Sequence, residues 1–398
     1  MFPYIIADDK IPFLKGALEP FAKIHYLPAE EITHDTISTA DALLIRTRTQ
    51  CNKKLLHETP VQFIGTATIG FDHIDTHYCD SRKIRWVNAP GCNASSVQQY
   101  IASALFTLAR REGFHLKGKT LGIVGVGHVG SKVEQLARIL GMEVLLNDPP
   151  RERHEGTGKF VTLSALLEGS DIITLHVPLN LIGEDKTFHL IGAESIRKMK
   201  SGTWLINSSR GEVAAPETIL QGLREKKMAG AVLDVWENEP HADPILLSQI
   251  SIATPHIAGY SSDGKANGTA MVVEALARRF NLPLANWFPG TIPEPEDPVI
   301  IIDGKGKTPG EIAGEAVLKT YNILEDDARL RANPSGFEQQ RGAYPVRREF
   351  PAYRAMVKGG RSESVELLKE LGFRYPPLTP PCSQGGAGVG TIKTHHLK

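Results

Sequence analysis

Three side chains far apart in the chain could together move a proton and hold an acid. They are Arg210 in "LINSSRGEV", Glu239 in "VLDVWENEP" and His256 in "ATPHIAG". Histidine titrates near neutrality, so it can take a proton from a hydroxyl and return it. A carboxylate beside an imidazole raises its pKa and fixes its orientation. A guanidinium grips a substrate carboxylate through paired hydrogen bonds and steadies charge on a neighbouring oxygen. Singly, each has an ordinary reading: surface arginine, solvated glutamate, core histidine. Together they form a complete set for oxidising the carbinol carbon of a 2-hydroxy acid, provided that one scaffold positions them beside a hydride acceptor.

Between residues 120 and 256 the chain supplies such a scaffold. Six strand patterns, "TLGIVGV", "EVLLND", "DIITLH", "TWLINSS", "AGAVLDV" and "SISIATP", mostly alternate with helical ones, which gives a doubly wound α/β sheet. Ligands of such sheets sit outside the carboxyl ends of the strands. The strands lead into Gly125, Asp148, His176-Val177-Pro178, Ser208-Ser209-Arg210, the stretch from Asp234 to Glu239, and Pro255-His256. All three chemical groups therefore fall at one edge.

The hydride acceptor follows from "GIVGVGHVGSKVEQLARILG". Its loop of Gly125, Gly127, His128, Val129 and Gly130 follows a strand, opens a helix and precedes a second strand ending in Asp148. Gly125 permits a tight turn, Gly127 admits a pyrophosphate to the backbone, and Gly130 allows close helix–strand packing. Helix N-terminal amides supply donors to the phosphates. Asp148 accepts from a ribose 2′-hydroxyl and repels a 2′-phosphate, so the expected cofactor is NAD. Arg151 and Arg153 nearby leave room for some NADP tolerance. "GTGKF" at 156–160 lacks the upstream glycine and following Ser/Thr of a phosphate loop and is rejected as one.

Elsewhere "YIIAD", "ALLIRT", "VQFIGTA" and "IRWVNAP" read as buried parallel strands. "SSVQQYIASALFTLARR" reads as a long helix with Val97, Ile101, Leu105 and Leu108 on one face and a cap at Ser95-Ser96. Another helical stretch runs from Gly264 to Phe280. Proline-rich "LPLANWFPGTIPEPEDP" reads as a linker. Beyond it come a strand, "IIIDG", and a helix opened by a capping box at Thr308, Pro309 and Glu311. Ile312, Ala316, Val317, Tyr321 and Leu324 form its apolar stripe. Residues 287–377 thus read as a small third α+β domain, and 378–398 as a disordered tail.

The 398 residues carry 45 basic and 45 acidic side chains, without the basic excess of a nucleic-acid or anionic-membrane binder. No apolar run reaches the length of a membrane helix, and "MFPYIIADDKIPF" has no basic start before an apolar core, so no secretory signal is expected there. Cys51, Cys79, Cys92 and Cys382 are scattered and read as reduced thiols of a cytoplasmic protein. His395 and His396 lack further ligands, so no metal site is expected.

Through "GIVGVGHVG", "LHVPL", "LINSSRGEV", "VLDVWENEP" and "TPHIAGYS", the chain resembles the D-2-hydroxyacid dehydrogenase family. "IGTATIGFDHID", "NAPGCNASSV", "DPPR" and "TPHIAGYSSDGKANGT", with the extra C-terminal domain, narrow the resemblance to a branch that acts on a small phosphorylated 2-hydroxy acid. It covers roughly residues 1–375. It implies a Rossmann-type NAD-binding domain over 93–257 and a discontinuous flavodoxin-like substrate domain over 1–92 and 258–286. It also implies two long helices crossing between these domains and a homodimer formed through 287–377. Arg210 would bind and polarise the substrate, Glu239 tune the histidine, and His256 carry the proton. Asp148, Val177, Ser208, Ser209, Arg210, Asp234 and Gly259 would line the NAD site, with Thr47, Thr68 and Tyr260 near the substrate. Position 177 is Val where relatives often carry Thr, so any cofactor contact there would be through backbone. The phosphate needs cations, and "LIRTRTQ" offers Arg46 and Arg48, on one face if the strand continues. The competing readings are 3-phosphoglycerate or glycerate/hydroxypyruvate as substrate, or an NAD-sensing scaffold without turnover.

Overall fold

Two parallel sheets carry most of the chain, and the computed structural model describes residues 2–156 and 158–375. The expected tail, with Cys382, His395 and His396, lies outside the described residues. The first sheet has five strands: β1 (Tyr4–Asp8), β2 (Lys23–Leu27), β3 (Ala42–Ile45), β4 (Phe63–Thr66) and β5 (Arg85–Val87). Their order is β2-β1-β3-β4-β5, parallel throughout. β3 and β4 are buried on both faces, which is why they read as continuous apolar runs. β2, "KIHYL", escaped the sequence reading because it is an edge strand alternating exposed and half-buried residues. One face of the sheet packs Ile5, Leu44 and Phe63 on Val272 and Leu276; the other packs Ile6, Leu43 and Ile45 on Leu56 and Cys79. Buried Cys51 and Cys79 and half-buried Cys92 are free thiols, each pushed above the usual thiol range by burial, Cys79 to about 11 and Cys92 to about 12.

The second sheet has the six strands expected: β6 (Thr120–Val124), β7 (Glu143–Asn147), β8 (Ile172–Leu175), β9 (Thr203–Asn207), β10 (Met228–Leu233) and β11 (Ile252–Ala253). All are parallel, in the order β11-β10-β9-β8-β6-β7, a Rossmann-type doubly wound sheet. The crossover helices Ala94–Glu112 and Ser262–Phe280 link the two sheets. The first begins after Asn93 and not at the Ser95-Ser96 cap expected from sequence. Ser96 is instead buried in the helix, where its hydroxyl donates to Ala258 O at 2.9 Å and accepts from Ser261 N at 3.1 Å. Val97, Ile101, Leu105 and Leu108 are all buried, as their spacing required.

The C-terminal segment forms a two-stranded parallel sheet, β12 (Val299–Asp303) with β13 (Arg354–Lys358), and helices at Pro309–Thr320, Ile323–Ala332, Phe337–Gly342 and Ser362–Glu370. The capping box at Thr308 and Glu311 is present. The helix it opens stops at Thr320, because Tyr321 turns extended, so Leu324 belongs to the next helix and the expected stripe is split. Ile302, Ile312, Ala316 and Val317 share one unbroken core with Val97, Ile101 and Leu105 of the crossover helix. Among the described residues no helix is long and apolar enough to cross a membrane.

Candidate active site

His256 sits in the turn after β11 with φ +55°, a left-handed conformation that a non-glycine residue holds only under constraint. The constraint comes from Asp234 at the end of β10. Its carbonyl accepts from His256 N at 2.6 Å, and its carboxylate accepts from Thr254 Oγ1 (2.6 Å), Ile257 N (2.8 Å) and Ala258 N (2.9 Å). Burial pushes this carboxyl up, against the His256 charge and those three bonds. Asp234 is fully buried. Its side chain therefore clips the histidine loop and presents no open surface of its own.

Glu239 Oε2 lies 2.8 Å from His256 Nδ1, and its Oε1 accepts from Trp236 N at 3.0 Å. Burial would raise this carboxyl, but the hydrogen bond and charge of His256 outweigh it and hold it below the ordinary glutamate range. A carboxylate at Nδ1 keeps the ring proton on that nitrogen and leaves Nε2 to exchange protons. Arg210 follows β9, its carbonyl accepting from Asn207 Nδ2 at 2.9 Å. Its guanidinium donates to Ser209 O at 2.8 Å and stands 3.7 Å from Asp72 of the first sheet's domain. A methyl on Gly211 would overlap the Trp236–Glu237 backbone, so the turn bearing Arg210 lies directly against the turn bearing Glu239. The other histidines near these strand ends are committed elsewhere. His176 is held neutral, at about 3, by burial, and its Nε2 shares a hydrogen bond with Thr174. His189 pairs with Glu237 at 3.2 Å.

The dinucleotide loop fits NAD. Gly125 has φ +85°, and a side chain there would sit 2.7 Å from the His176 carbonyl carbon. A methyl on Gly130 would overlap the Gly125 carbonyl oxygen, whereas one on Gly127 would meet nothing within 4 Å, so Gly127 marks the open side of the loop. Asp148, at the end of β7, accepts from Val126 N at 2.7 Å and Arg151 N at 3.1 Å. Arg151 is paired with Glu155 at 2.6 Å, and Arg153 with Asp185 at 2.5 Å. The two cations that could have received a 2′-phosphate are thus already spent on carboxylates. Ser208 Oγ is buried without a hydrogen-bond partner, an orphan that a bound ligand would satisfy. Ser209 Oγ donates to Asn207 Oδ1. His128 packs its ring on Gly91, toward the domain junction, and Val129 packs on the core. Val177 lies against Gly125, and the Gly259 carbonyl accepts from Asn93 Nδ2 at 3.3 Å.

On the substrate side, Thr68 Oγ1 bonds Thr66 Oγ1 at 2.6 Å and donates to Gly70 O at 2.9 Å, while Thr47 lies exposed. β3 stops at Ile45 and the chain turns, so Arg46 and Arg48 do not share a strand face. Arg48 pairs with Glu338 at 3.1 Å; among the described residues Arg46 hydrogen-bonds the Lys10 carbonyl, at 3.4 Å, and has no ion-pair partner. The sequence reading missed a strap from the C-terminal segment. Buried Arg347 donates to Ser96 O (3.2 Å) and Ile257 O (3.3 Å), and closely to Ala258 O, just after the histidine. Arg348 grips Asp263 with two bonds of 2.9 and 3.0 Å, and Ser261 Oγ donates to Glu349 at 2.8 Å. In sequence "VRREF" is only a short charge run, the usual mark of a solvated stretch, and nothing local signals its burial.

Residues 93–258 match the family model for the D-isomer specific 2-hydroxyacid dehydrogenase, NAD binding domain. Residues 293–372 match a domain of unknown function. An erythronate-4-phosphate dehydrogenase of Bacteroides fragilis is 48% identical over 89% of this chain and 99% of its own length. Another, from Porphyromonas gingivalis, is 43% identical over 93% of this chain and 99% of its own. Among solved structures, the NAD-bound 3-phosphoglycerate dehydrogenase of Entamoeba histolytica superposes with a TM-score of 0.60 at 23% identity, over 74% of this chain and all of that one, a likeness of fold. The chain belongs to the D-isomer specific 2-hydroxyacid dehydrogenase family, in the group of the erythronate-4-phosphate dehydrogenases.

Proposed function

We propose that the chain oxidises 4-phospho-D-erythronate at C2 to 2-oxo-3-hydroxy-4-phosphobutanoate, a step of pyridoxal 5′-phosphate synthesis, with NAD as its cofactor. The single observation that carries the catalytic roles is the 2.8 Å contact between Glu239 and His256 Nδ1. His256 Nε2 takes the C2 hydroxyl proton, Glu239 stabilises the resulting imidazolium, and Arg210 holds the substrate carboxylate and the C2 oxygen. NAD, when bound, would supply the acceptor for the hydride from C2. Gly125, Gly127 and Gly130 would admit its phosphates, Asp148 its ribose and Ser208 an edge of the ligand. Asp234 positions the histidine loop from beneath. The 287–377 segment would join two copies: β12 buries Ile300 and Ile302 but exposes Val299 and Ile301, an apolar face open to a second chain.

Turnover of 4-phospho-D-erythronate with NAD and a keto-acid acceptor, set against 3-phosphoglycerate and glycerate, tests the substrate. The phosphorylated four-carbon acid is expected to have the highest kcat/KM. Preference for either other acid contradicts the substrate, and no turnover with any leaves an NAD-binding scaffold.

A further inference from the structure

We propose that Lys265 and Arg341 form an anion subsite beside the Tyr260 ring, with Arg46 at its edge, and that it takes the substrate's phosphate. This rests on the reading that the substrate is phosphorylated. Tyr260 follows His256 by four residues in the same loop, its amide bonded to Ile257 O. The Lys265 ammonium stands 5.0 Å from the Tyr260 ring centroid, and the Arg341 guanidinium 5.6 Å from the same centroid. Both cations are therefore brought to one side chain beside the histidine.

Lys265 has no carboxylate partner among the described residues, although it is half-buried. Burial, then the charges of Arg46 and Arg347, depress its pKa to about 8. Arg341 spends one nitrogen on Glu338 at 2.6 Å, and its Nε is buried without a partner. Lys265, half-buried beside other cations and without a carboxylate of its own, loses hydration and is repelled by them, a cost that a phosphate monoester, carrying close to two negative charges, would offset. Arg48, held by Glu338 at 3.1 Å, is instead exposed and makes no ring contact with Tyr260 among the described residues, so it is left outside the subsite. Arg341 lies within the domain of unknown function, on the Phe337–Gly342 helix. That domain would then supply part of the substrate site in addition to any role in assembly.

Inorganic phosphate is the probe, titrated calorimetrically into the full-length protein saturated with NAD. Wild type is expected to bind it, K265M and R341M to bind at least about tenfold more weakly, K265R to stay near wild type, and R48Q to change less than about twofold. In turnover, K265M should raise KM for the phosphorylated acid by at least about thirtyfold but not that for NAD. Failure of wild type to bind phosphate, equal binding by K265M and wild type, or an equal loss in R48Q overturns the subsite. Loss of phosphate binding in K265M, with a wild type that prefers an unphosphorylated acid, keeps the subsite and overturns the substrate reading instead.

Discussion

A carboxylate 2.8 Å from Nδ1 separates His256 from the other histidines at this edge of the sheet. Glu239→Gln keeps a hydrogen-bonding group there and removes the charge that stabilises an imidazolium. It is expected to lower kcat about 10- to 100-fold while NAD affinity holds, by steady-state kinetics and fluorescence titration. Near-normal kcat would mean the carboxylate has no part in turnover. Gly127 offers a complementary test, since an added methyl meets no atom within 4 Å. Gly127→Ala should melt like wild type yet raise KM for NAD by about tenfold or more, because the methyl occupies the pyrophosphate's approach. An unchanged KM would move the cofactor off this loop. That Arg210, Glu239 and His256 follow strands finishing at one edge was legible in sequence, because the strands of an open parallel sheet all end on the same side. Lys265 and Arg341 were not, since a charge on a helix reads as solvated until folding sets it against Tyr260.

The strap of Arg347, Arg348 and Glu349 ties the C-terminal segment to the loop that carries His256. Glu349 is only 8% exposed, and burial pushes its carboxyl up to about 7. Its folded pKa thus stands above the unfolded one, and the folded protein holds a proton that the unfolded chain releases. Stability contributed by that proton is complete below about pH 4.5 and is lost as pH rises through about 7. Glu349→Gln keeps an acceptor for Ser261 Oγ without the buried charge. It should be more stable than wild type at about pH 8, by on the order of 2–3 kcal/mol, and equal near pH 4.5. Thermal melts at both pH values check this, and identical melting at both would contradict the buried, protonated carboxyl. Strands β6, β8, β9 and β10 were legible because burial on both faces leaves largely unbroken apolar runs. β2 hid its signal in edge-strand alternation, and the crossover helix 94–112 hid its start because Ser96 faces the neighbouring loop at Ala258 and Ser261.

At the scale of the molecule, the C-terminal segment shares its core with the crossover helix 94–112 and exposes Val299 and Ile301 on β12. On the proposed assembly of two copies through β12, Ile301→Lys should leave the fold intact, since the side chain is 49% exposed, and should shift the protein from dimer to monomer by sedimentation velocity. A variant that sediments as wild type does would contradict assembly through this face. Sequence patterning gave the strand and helices of this segment but not the core it shares with the crossover helix, which depends on contacts such as Phe106 against Gly314, over two hundred residues apart. The molecule as a whole brings a guanidinium, a carboxylate and an imidazole to one edge of one sheet, and the most direct test removes the imidazole. In single-turnover experiments on His256→Ala, formation of reduced nicotinamide from 4-phospho-D-erythronate should fall at least about a thousandfold while NAD quenches protein fluorescence as in wild type. Reduction at a rate within about tenfold of wild type would show that the proton leaves by another route.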